Sequence, residues 1–180
     1  LRVLLKAGWL EAAQEEIKAL PEPRTPQEKV VRSKLLAEAF DHHGAIRTMN
    51  EAWDEKPDLI RRELVKTVFP REFDTVIAEQ GKNFDVDQNL IRAVIRQESS
   101  FQVEAESSAQ AIGLMQMVPL TAREVARKLG WKRSIQLPDD LYDVSTSIRF
   151  GASYLSRLIR AFDGHVPIAL ASYNAGIGRL

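Results

Sequence analysis

Apolar residues recur at intervals of three and four along most of this 180-residue chain, and alternation with a period of two is nearly absent. The stretch that begins at Pro26 shows the pattern, since Leu35, Leu36, Ala39 and Phe40 lie on one side of a helix. A period near 3.6 suits an α-helix, whereas a half-buried strand needs a period of two. We therefore predict a mainly α fold.

The predicted helices form two groups that meet near Val68-Phe69-Pro70, because the proline stops the preceding helix. Short breaks at 21–23 and 43–44 divide the first group, and such breaks make neighbouring helices antiparallel hairpins. The helices of the first group are predicted over 1–19, 26–42 and 44–54. Those of the second group are predicted over 71–80, 87–99, 119–129, 145–162 and 167–174. We therefore expect a partial helical segment over 1–68 and a second domain over 69–180.

Helix ends in the second group carry the residues that helix termini favour. Asp87 is suited to cap the start of a helix, and Pro119 and Pro167 are suited to a first turn. Gly130 and Gly176 are suited to positions directly after a helix end, where a left-handed backbone is common.

Charge and cysteine content exclude several classes of protein. Lys and Arg number 25, as do Asp and Glu, so the net charge is zero and no bulk field favours nucleic acid. No run of about 18 apolar residues is present to span a bilayer. The absence of cysteine excludes disulfides, thiol nucleophiles and sulfur-ligated zinc. We therefore expect neither a nucleic-acid partner nor an integral membrane segment.

The only histidine cluster, Asp41-His42-His43, does not predict a metal site. Adjacent residues on a helix point about 100° apart, so this pair cannot share a metal ion as histidines four residues apart can. We expect a solvated helix end there, and no metal or cofactor is predicted for the chain. The opening residues from Leu1 lack the features of a signal peptide, which indicates a processed chain.

The helix that begins at Asp87 carries a carboxylate on its apolar side. Ile91, Val94 and Ile95 form one face, and Glu98 lies seven, four and three residues after them, so it continues that face. Burial opposes ionisation, and the partial negative charge of the last helical turn opposes it too. Both effects raise the pKa of Glu98, which suits a general acid that works near neutral pH.

Position alone leaves other interpretations of Glu98 open. In one alternative the Glu98 side chain is exposed at a frayed helix end, and in another it pairs with Arg92 or Arg96. A glycosidase normally uses two carboxylates, and the sequence does not single out a partner for Glu98. The candidates lie in or beside loops: Glu104, Glu106, Asp139, Asp140 and Asp143. A serine nucleophile activated by His165 is not favoured, because no strand–turn–helix elbow would expose the serine.

Two further segments stand out. Gly113-Leu114-Met115-Gln116 ends a Ser- and Ala-rich loop over 100–118, and by itself it is typical of a tight glycine turn with core methionines. Residues 171–176 end the last predicted helix. Tyr173 there offers a ring and a hydroxyl, and Asn174 offers an amide that both donates and accepts hydrogen bonds. Sugars bind such a mixture of flat apolar area and hydrogen-bonding groups, although a helix C-cap would explain the same six residues.

Together these segments resemble one family, the soluble lytic transglycosylases. Glu98-Ser99 within Arg-Gln-Glu-Ser-Ser-Phe, Gly-Leu-Met-Gln at 113–116 and Ser-Tyr-Asn-Ala-Gly at 172–176 follow the order and spacing of that family. The segment 148–155 is similar to the family's Asn-Ile-x-x-Gly-x-x-Tyr-Leu helix. The resemblance covers about 69–180 and implies a lysozyme-like helical catalytic domain.

The resemblance also implies a reaction and site residues. The family cleaves the β-1,4 bond between N-acetylmuramic acid and N-acetylglucosamine in peptidoglycan without water, and it closes a 1,6-anhydro ring on the muramic acid. Glu98 would donate a proton to the leaving oxygen and then accept one from the C6 hydroxyl of the same sugar. Tyr173 would stabilise charge, Ser107 and Gln116 would hydrogen-bond the sugars, and the Gly113 backbone would approach them. No cofactor is implied, and the expected location is the periplasm or cell envelope of a bacterium.

The chain departs from the family pattern at positions that bear on loop shape and sugar contacts. These are Ser108-Ala109-Gln110 in place of Pro and Gly, Val118 in place of Met, Val144 in place of Pro and Ser147 in place of Asn. The stretch 1–68 is similar to the end of the helical superhelix that precedes the catalytic domain in large soluble members. The family continues past the Tyr-Asn-Ala-Gly segment through helices that close the groove, so we expect the catalytic domain to be truncated at Leu180.

Two alternative functions stand beside this one. A lysozyme-type peptidoglycan hydrolase would use Glu98, a loop carboxylate and water. A non-catalytic helical adaptor would use the surface of 1–68 and keep the second domain only to bind glycan or protein. The products distinguish the three, because only the transglycosylase leaves an anhydro end.

Overall fold

The computed structural model describes residues 1–59 and 61–175, and the prediction of a mainly α fold is confirmed. The helices of the described chain are α1 (Arg2–Ala7), α2 (Leu10–Ala19), α3 (Pro26–Glu38), α4 (His42–Glu55), α5 (Arg62–Val68), α6 (Asp74–Phe84), α7 (Gln88–Ser99), α8 (Pro119–Lys128), α9 (Asp139–Tyr142), α10 (Val144–Ala161) and α11 (Val166–Ala175). A short 3-10 helix, Pro57–Leu59, lies between α4 and α5. The chain folds into two compact units, Leu1–Pro70 and Arg71–Leu180.

The first unit packs short helices around a small apolar core. The buried residues of this core come from α2, α3, the turn directly after α3 and the start of α4: Ala13, Ile17, Leu36, Ala39 and Ala45. Thr25 caps α3 in a reciprocal arrangement, because the Glu28 N–H donates to Thr25 Oγ1 and the Glu28 carboxylate accepts from the Thr25 N–H, both at 3.2 Å.

Two predicted boundaries in this unit are wrong. The stretch 1–19 contains a break, because Gly8 adopts a left-handed backbone with φ 73° that ends α1 before α2 begins. There is no break at 43–44, since the Asp41 side chain accepts a hydrogen bond from the Gly44 N–H at 2.8 Å and caps α4. His42 therefore lies in the first turn of α4 and is only 8% exposed, so the prediction of a solvated helix end is wrong for this residue.

The second unit is organised around α10. Helices α6, α8, α9 and α11 pack on α10, and α7 packs on α6. One buried core cluster joins α8, α9, α10, α11 and the loop before α8: Ile112, Met117, Ala122, Val125, Ala126, Leu141, Phe150, Tyr154, Leu158 and Ala169. Helix α10 thus holds α11 and the loop before α8 directly, and it is connected to α7 through α6.

Most predicted helix ends in this unit are confirmed. Asp87 Oδ1 accepts hydrogen bonds from the first two N–H groups after Gln88, at 2.6 and 3.2 Å, and so caps α7. Pro119 is the first residue of α8, and Gly130 follows its end with φ 65°. The sequence does not predict the four-residue helix α9, and the expected cap at Gly176 lies outside the described residues. None of the helices in 1–59 and 61–175 is long and apolar enough to cross a bilayer.

Candidate active site

Helix α7 buries the apolar face that the sequence predicts, and Glu98 extends it. Ile91 and Ile95 are fully buried, Val94 is 6% exposed, and Glu98 is half-buried in the last turn. Ser100 then ends the helix with a left-handed backbone, φ 50°. The helix therefore delivers a carboxylate to the boundary between core and solvent.

The Glu98 carboxylate forms no hydrogen bond or ion pair with any residue in the described chain. Arg92 pairs instead with Asp74 and donates to Asn89 Oδ1 at 3.0 Å. The pairing with Arg92 or Arg96 that the sequence leaves open is therefore not formed. Burial raises the pKa of Glu98 above its ordinary value of 4.5, in the direction that the sequence predicts.

Glu98 lines a cavity of about 450 Å³ within the second unit. The walls come from the end of α7, the loop after it, the start of α8, α10 and α11. The lining residues are Glu98, Ala109, Ala111, Gln116, Met117, Val118, Thr121, Tyr154, Tyr173, Asn174 and Ala175. Among the described residues that line this cavity, Glu98 is the only carboxylate, so the site presents a single acid to a bound molecule.

The Gly-Leu-Met-Gln segment forms a closed turn in the loop before α8. Ile112 and Met117 exchange backbone hydrogen bonds of 3.1 and 3.0 Å across it. Gly113 has φ 77°, its N–H donates to the Ala105 carbonyl at 2.8 Å, and a Cβ there would lie 2.1 Å from the Leu141 carbonyl oxygen. Only glycine fits this position. Gly113 is absent from the described cavity lining, so its role here is in the fold of the turn.

The other predicted sugar-binding residues differ in their position. Gln116 lines the cavity, and its Nε2 also braces the loop by donating to two loop carbonyls at 3.0 and 3.1 Å. Asn174 is exposed and lines the cavity from α11. Ser107 does not line it; its Oγ accepts a hydrogen bond from the Ala111 N–H at 3.0 Å, and Ala111 is a lining residue. Ser107 therefore shapes the loop that forms one wall.

Tyr173 connects α11 to the turn. Its hydroxyl donates to the Met115 carbonyl at 2.8 Å, and its ring lies 5.2 Å from the Tyr154 ring, tilted by 54°. Burial, followed by the negative charge of Glu98, raises the pKa of Tyr173 well above its ordinary value of 10.0. The site thus combines a carboxyl group with an enclosed hydroxyl that stays neutral.

The loop carboxylates considered as partners for Glu98 lie outside the described cavity lining. Asp140 pairs with Arg133, which lowers the pKa of Asp140. Asp143 caps α10, and Glu106 accepts a hydrogen bond from the Tyr142 hydroxyl. These three acids are already used to hold the fold together.

Two contacts that the sequence does not predict fix the turn to neighbouring helices. Ser99 is buried, and its single hydroxyl proton is shared between the Leu114 carbonyl at 2.9 Å and the Ile95 carbonyl at 3.1 Å. Met115 packs on Gly151 of α10, where a Cβ would lie 2.2 Å from Met115 Sδ. The hydrogen bond of Ser99 to the Ile95 carbonyl, four residues earlier, is a common local pattern for a serine in a helix. Its contact with the Leu114 carbonyl depends on tertiary packing, so the sequence does not predict it.

A comparison with protein families identifies the second unit. The family model described as "Transglycosylase SLT domain" matches residues 75–180, and the chain belongs to this family. Its helical fold is of the lysozyme-like type expected from the sequence.

Named relatives and solved structures agree with this assignment. The chain is 31% identical over 112 residues to "Soluble lytic murein transglycosylase" of Salmonella typhimurium, covering 62% of this chain and 17% of the relative. It is 35% identical over 92 residues to "Membrane-bound lytic murein transglycosylase E" of Buchnera aphidicola, covering 51% and 42%. The structure of an inactive mutant of lytic transglycosylase Slt from Pseudomonas aeruginosa matches with TM-score 0.75 and 29% identity, over 91% of this chain and 25% of that one. The 70 kDa soluble lytic transglycosylase of Escherichia coli shares the fold, with TM-score 0.77 and 22% identity, over 99% and 28%. The chain thus spans less than half the length of each.

Proposed function

We propose that this protein is a peptidoglycan lytic transglycosylase, which cleaves the β-1,4 bond between N-acetylmuramic acid and N-acetylglucosamine and leaves a 1,6-anhydromuramic acid end. Membership of the transglycosylase SLT family supports the proposal. The observation that carries it is Glu98, a half-buried acid with a raised pKa and the only carboxylate among the described residues of its cavity wall. A carboxyl that stays protonated toward neutral pH can protonate a leaving glycosidic oxygen.

The proposed reaction uses this one carboxyl group twice. Protonated Glu98 donates its proton to the glycosidic oxygen while the bond from that oxygen to C1 of muramic acid breaks, and N-acetylglucosamine leaves as an alcohol. The Glu98 carboxylate then takes the proton of the C6 hydroxyl of the same muramic acid. The C6 oxygen bonds to C1 and closes the anhydro ring. No water is consumed, and Glu98 is protonated again at the end.

This scheme needs no second carboxylate, whereas a lysozyme-type hydrolase normally does. Asp140, Asp143 and Glu106 are engaged in an ion pair, a helix cap and a tyrosine hydrogen bond, and none is among the described lining residues. These contacts favour the transglycosylase over the hydrolase. A half-buried carboxyl with a raised pKa in a cavity likewise favours an enzyme over a binding adaptor.

The other residues of the cavity are proposed to hold and stabilise the sugar. The neutral Tyr173 hydroxyl, fixed on a backbone carbonyl, would place its oxygen near the positive charge that develops at C1. Gln116 and Asn174 would offer amide groups to sugar hydroxyls and acetamido groups. Ser107 and Gly113 would act through the shape of the loop, because their contacts lie within it.

The natural substrate would be the peptidoglycan of a bacterial cell envelope, reached from the periplasm. The names of the curated relatives, which are soluble or membrane-bound murein transglycosylases, support this setting. We propose that 1–68 is part of a helical superhelix with a structural role and that 69–180 is the catalytic domain.

Mass spectrometry of muropeptides after digestion tests the proposed function. We expect ends that are one water lighter than hydrolysis products, and we expect them to vanish with Glu98→Gln. Reducing ends as the main product would support the hydrolase. Binding of glycan strands without cleavage would support the adaptor.

A further inference from the structure

The backbone shortly after Glu98 adopts an uncommon conformation. Ser100 and Phe101, two consecutive residues, are both left-handed, with φ 50° and 66°. Helices commonly end at one left-handed residue, but that residue is usually glycine. In any other residue this conformation brings the Cβ close to the following carbonyl oxygen, and it is rare for a side chain as bulky as phenylalanine. The turn that follows the proposed acid is therefore strained.

The side chain of Phe101 supplies packing that holds this turn. It is only 4% exposed, and its ring stacks on the ring of Phe73, with centroids 6.5 Å apart and planes at 23°. Phe73 directly precedes α6, which packs on both α7 and α10. The Phe101 ring thus attaches the backbone after α7 to the start of a neighbouring helix. Strained residues persist only where their surroundings hold them, and they cluster at functional sites.

The stacked rings act on the site only through the backbone. Phe73 and Phe101 lie outside the described lining of the Glu98 cavity. Phe101 follows Glu98 by three residues, and the Gln102 N–H closes the turn by donating to the Ser99 carbonyl at 3.1 Å. The last turn of α7 is therefore tied to the position of the Phe101 ring. The direction in which the Glu98 side chain leaves the helix depends on the same turn.

We propose that Phe101 is a positioning residue, whose ring, stacked on Phe73, holds the left-handed turn and so keeps the Glu98 carboxyl group at the cavity wall. The inference rests on the proposed function. Without the stack the turn would relax, the end of α7 would fray, and the carboxyl group would move toward water.

Such a movement would change the chemistry of the acid. Burial raises the pKa of Glu98, and Tyr173 of α11 is a titratable group whose own pKa the Glu98 charge affects. Exposure of the carboxyl group would therefore lower its pKa toward the ordinary value of 4.5. Less of the protonated acid would then be present near neutral pH, and it would be less well aimed at the glycosidic oxygen.

Phe101→Leu tests the inference, because leucine keeps a buried apolar side chain but removes the stacked ring. The kcat for release of anhydro ends should fall about tenfold, since a small displacement of a reacting group has a large effect on rate. KM should change little, because the residues proposed to bind the sugar are unaltered. NMR titration without substrate should show a lower pKa for Glu98 than in the unchanged protein. Phe73→Leu removes the same stack from the other side and should act in the same direction.

A rescue and a control separate positioning from stability. Ser100→Gly, added to Phe101→Leu, should recover most of the lost kcat and raise the pKa of Glu98 again, because glycine adopts a left-handed backbone without a Cβ clash. Phe150→Leu is the matched control. Phe150 is also a buried ring in an aromatic pair, with its centroid 5.2 Å from that of Trp131, and it lies outside the described cavity lining. Phe150→Leu should lower the free energy of unfolding but leave kcat and the pKa of Glu98 unchanged.

Three results would overturn the inference: an unchanged kcat and Glu98 pKa in Phe101→Leu, an equal loss in Phe150→Leu, or no recovery with Ser100→Gly. Failure of the proposed function is a different result. If the unchanged protein released no anhydro ends, that function would be wrong, whereas the pKa values of Glu98 in the substrate-free variants would still decide whether Phe101 positions the carboxyl group.

Discussion

The two units contain cavities of similar size, but the charged group is paired in one cavity and has no partner in the other. In Leu1–Pro70 a cavity of about 530 Å³ lies beside α3, and Arg32 on its wall donates to Glu22 at 3.0 Å and to the Ile17 carbonyl at 2.7 Å. In the second unit the cavity of about 450 Å³ contains Glu98, whose carboxylate has no hydrogen-bond or ion-pair partner in the described chain. Volume therefore does not identify the site, whereas a half-buried acid without a counter-charge does.

The pKa shifts of an ion pair in the first unit and of the Glu98 cavity in the second differ in the same way. In the first unit a hydrogen bond from Lys29 to Glu55 raises the pKa of the lysine and so favours its charged form. In the cavity of the second unit, burial raises the pKa of Glu98 and of Tyr173, and so favours their neutral forms. Pairs that favour charge hold helices together, and groups held neutral are available for proton transfer.

The largest expected effect comes from removing the titrating proton of the site. Glu98→Gln keeps the shape of the side chain, so it should lower the rate of anhydro-end formation by about 10²–10⁴-fold, as expected for loss of general acid–base catalysis. Folding should survive, which circular dichroism checks. Glu104→Gln is the control, because Glu104 is an exposed loop carboxylate outside the described cavity lining, and it should retain activity. A large loss with Glu104→Gln would restore a two-carboxylate mechanism.

A glycine pair compares the packing of the two units. Gly113→Ala would push a Cβ against the Leu141 carbonyl at a left-handed backbone position and should destabilise the second unit by about 3 kcal/mol or more. Gly8 of the first unit has a similar φ of 73° but nothing within 4 Å of a Cβ, so Gly8→Ala should cost only about 1 kcal/mol. Denaturant unfolding measures both. Equal costs would mean that backbone strain alone, and not the packing of the turn, makes Gly113 necessary.

A serine pair separates stability from activity. Ser99 and Ser33 are both buried and both donate to a backbone carbonyl, of Leu114 at 2.9 Å and of Ala45 at 2.7 Å respectively. Replacing either by alanine should cost about 1–2 kcal/mol of stability. Only Ser99→Ala should also lower kcat, because it frees the turn that forms the cavity wall. Equal kcat values for the two variants would show that the turn does not need this tether.

The smallest expected effect is on the pH dependence of stability. Because the folded pKa of Glu98 is raised above 4.5, its proton stabilises the folded state fully below pH 4.5, and this contribution is lost as the pH rises through the folded pKa. As the pH rises from 4.5 through the folded pKa of Glu98, the free energy of unfolding of Glu98→Gln should therefore increase relative to that of the unchanged protein. Thermal unfolding at a series of pH values measures the difference. An opposite slope would mean that the folded state favours the charged carboxylate.

Local rules in the sequence predict most helices and the acid, but not the fold of the loop that forms one wall of the cavity. The cap at Asp87 and the position of Glu98 follow from spacing along one helix, so periodicity is sufficient to find them. The functions of Gly113 and Ser107 depend on partners elsewhere in the fold or across a closed loop, which spacing does not reveal. The break at Gly8 was also available from local rules, since glycine favours the left-handed conformation that ends a helix.

Titration of the Glu98 carboxyl by NMR tests the central claim most directly. The account predicts a pKa above 4.5 that agrees with the high-pH limb of the kcat/KM profile, because the protonated carboxyl is the active acid. A pKa at or below 4.5 would contradict it, since the carboxylate would then be solvated or paired and could not serve as the proton donor.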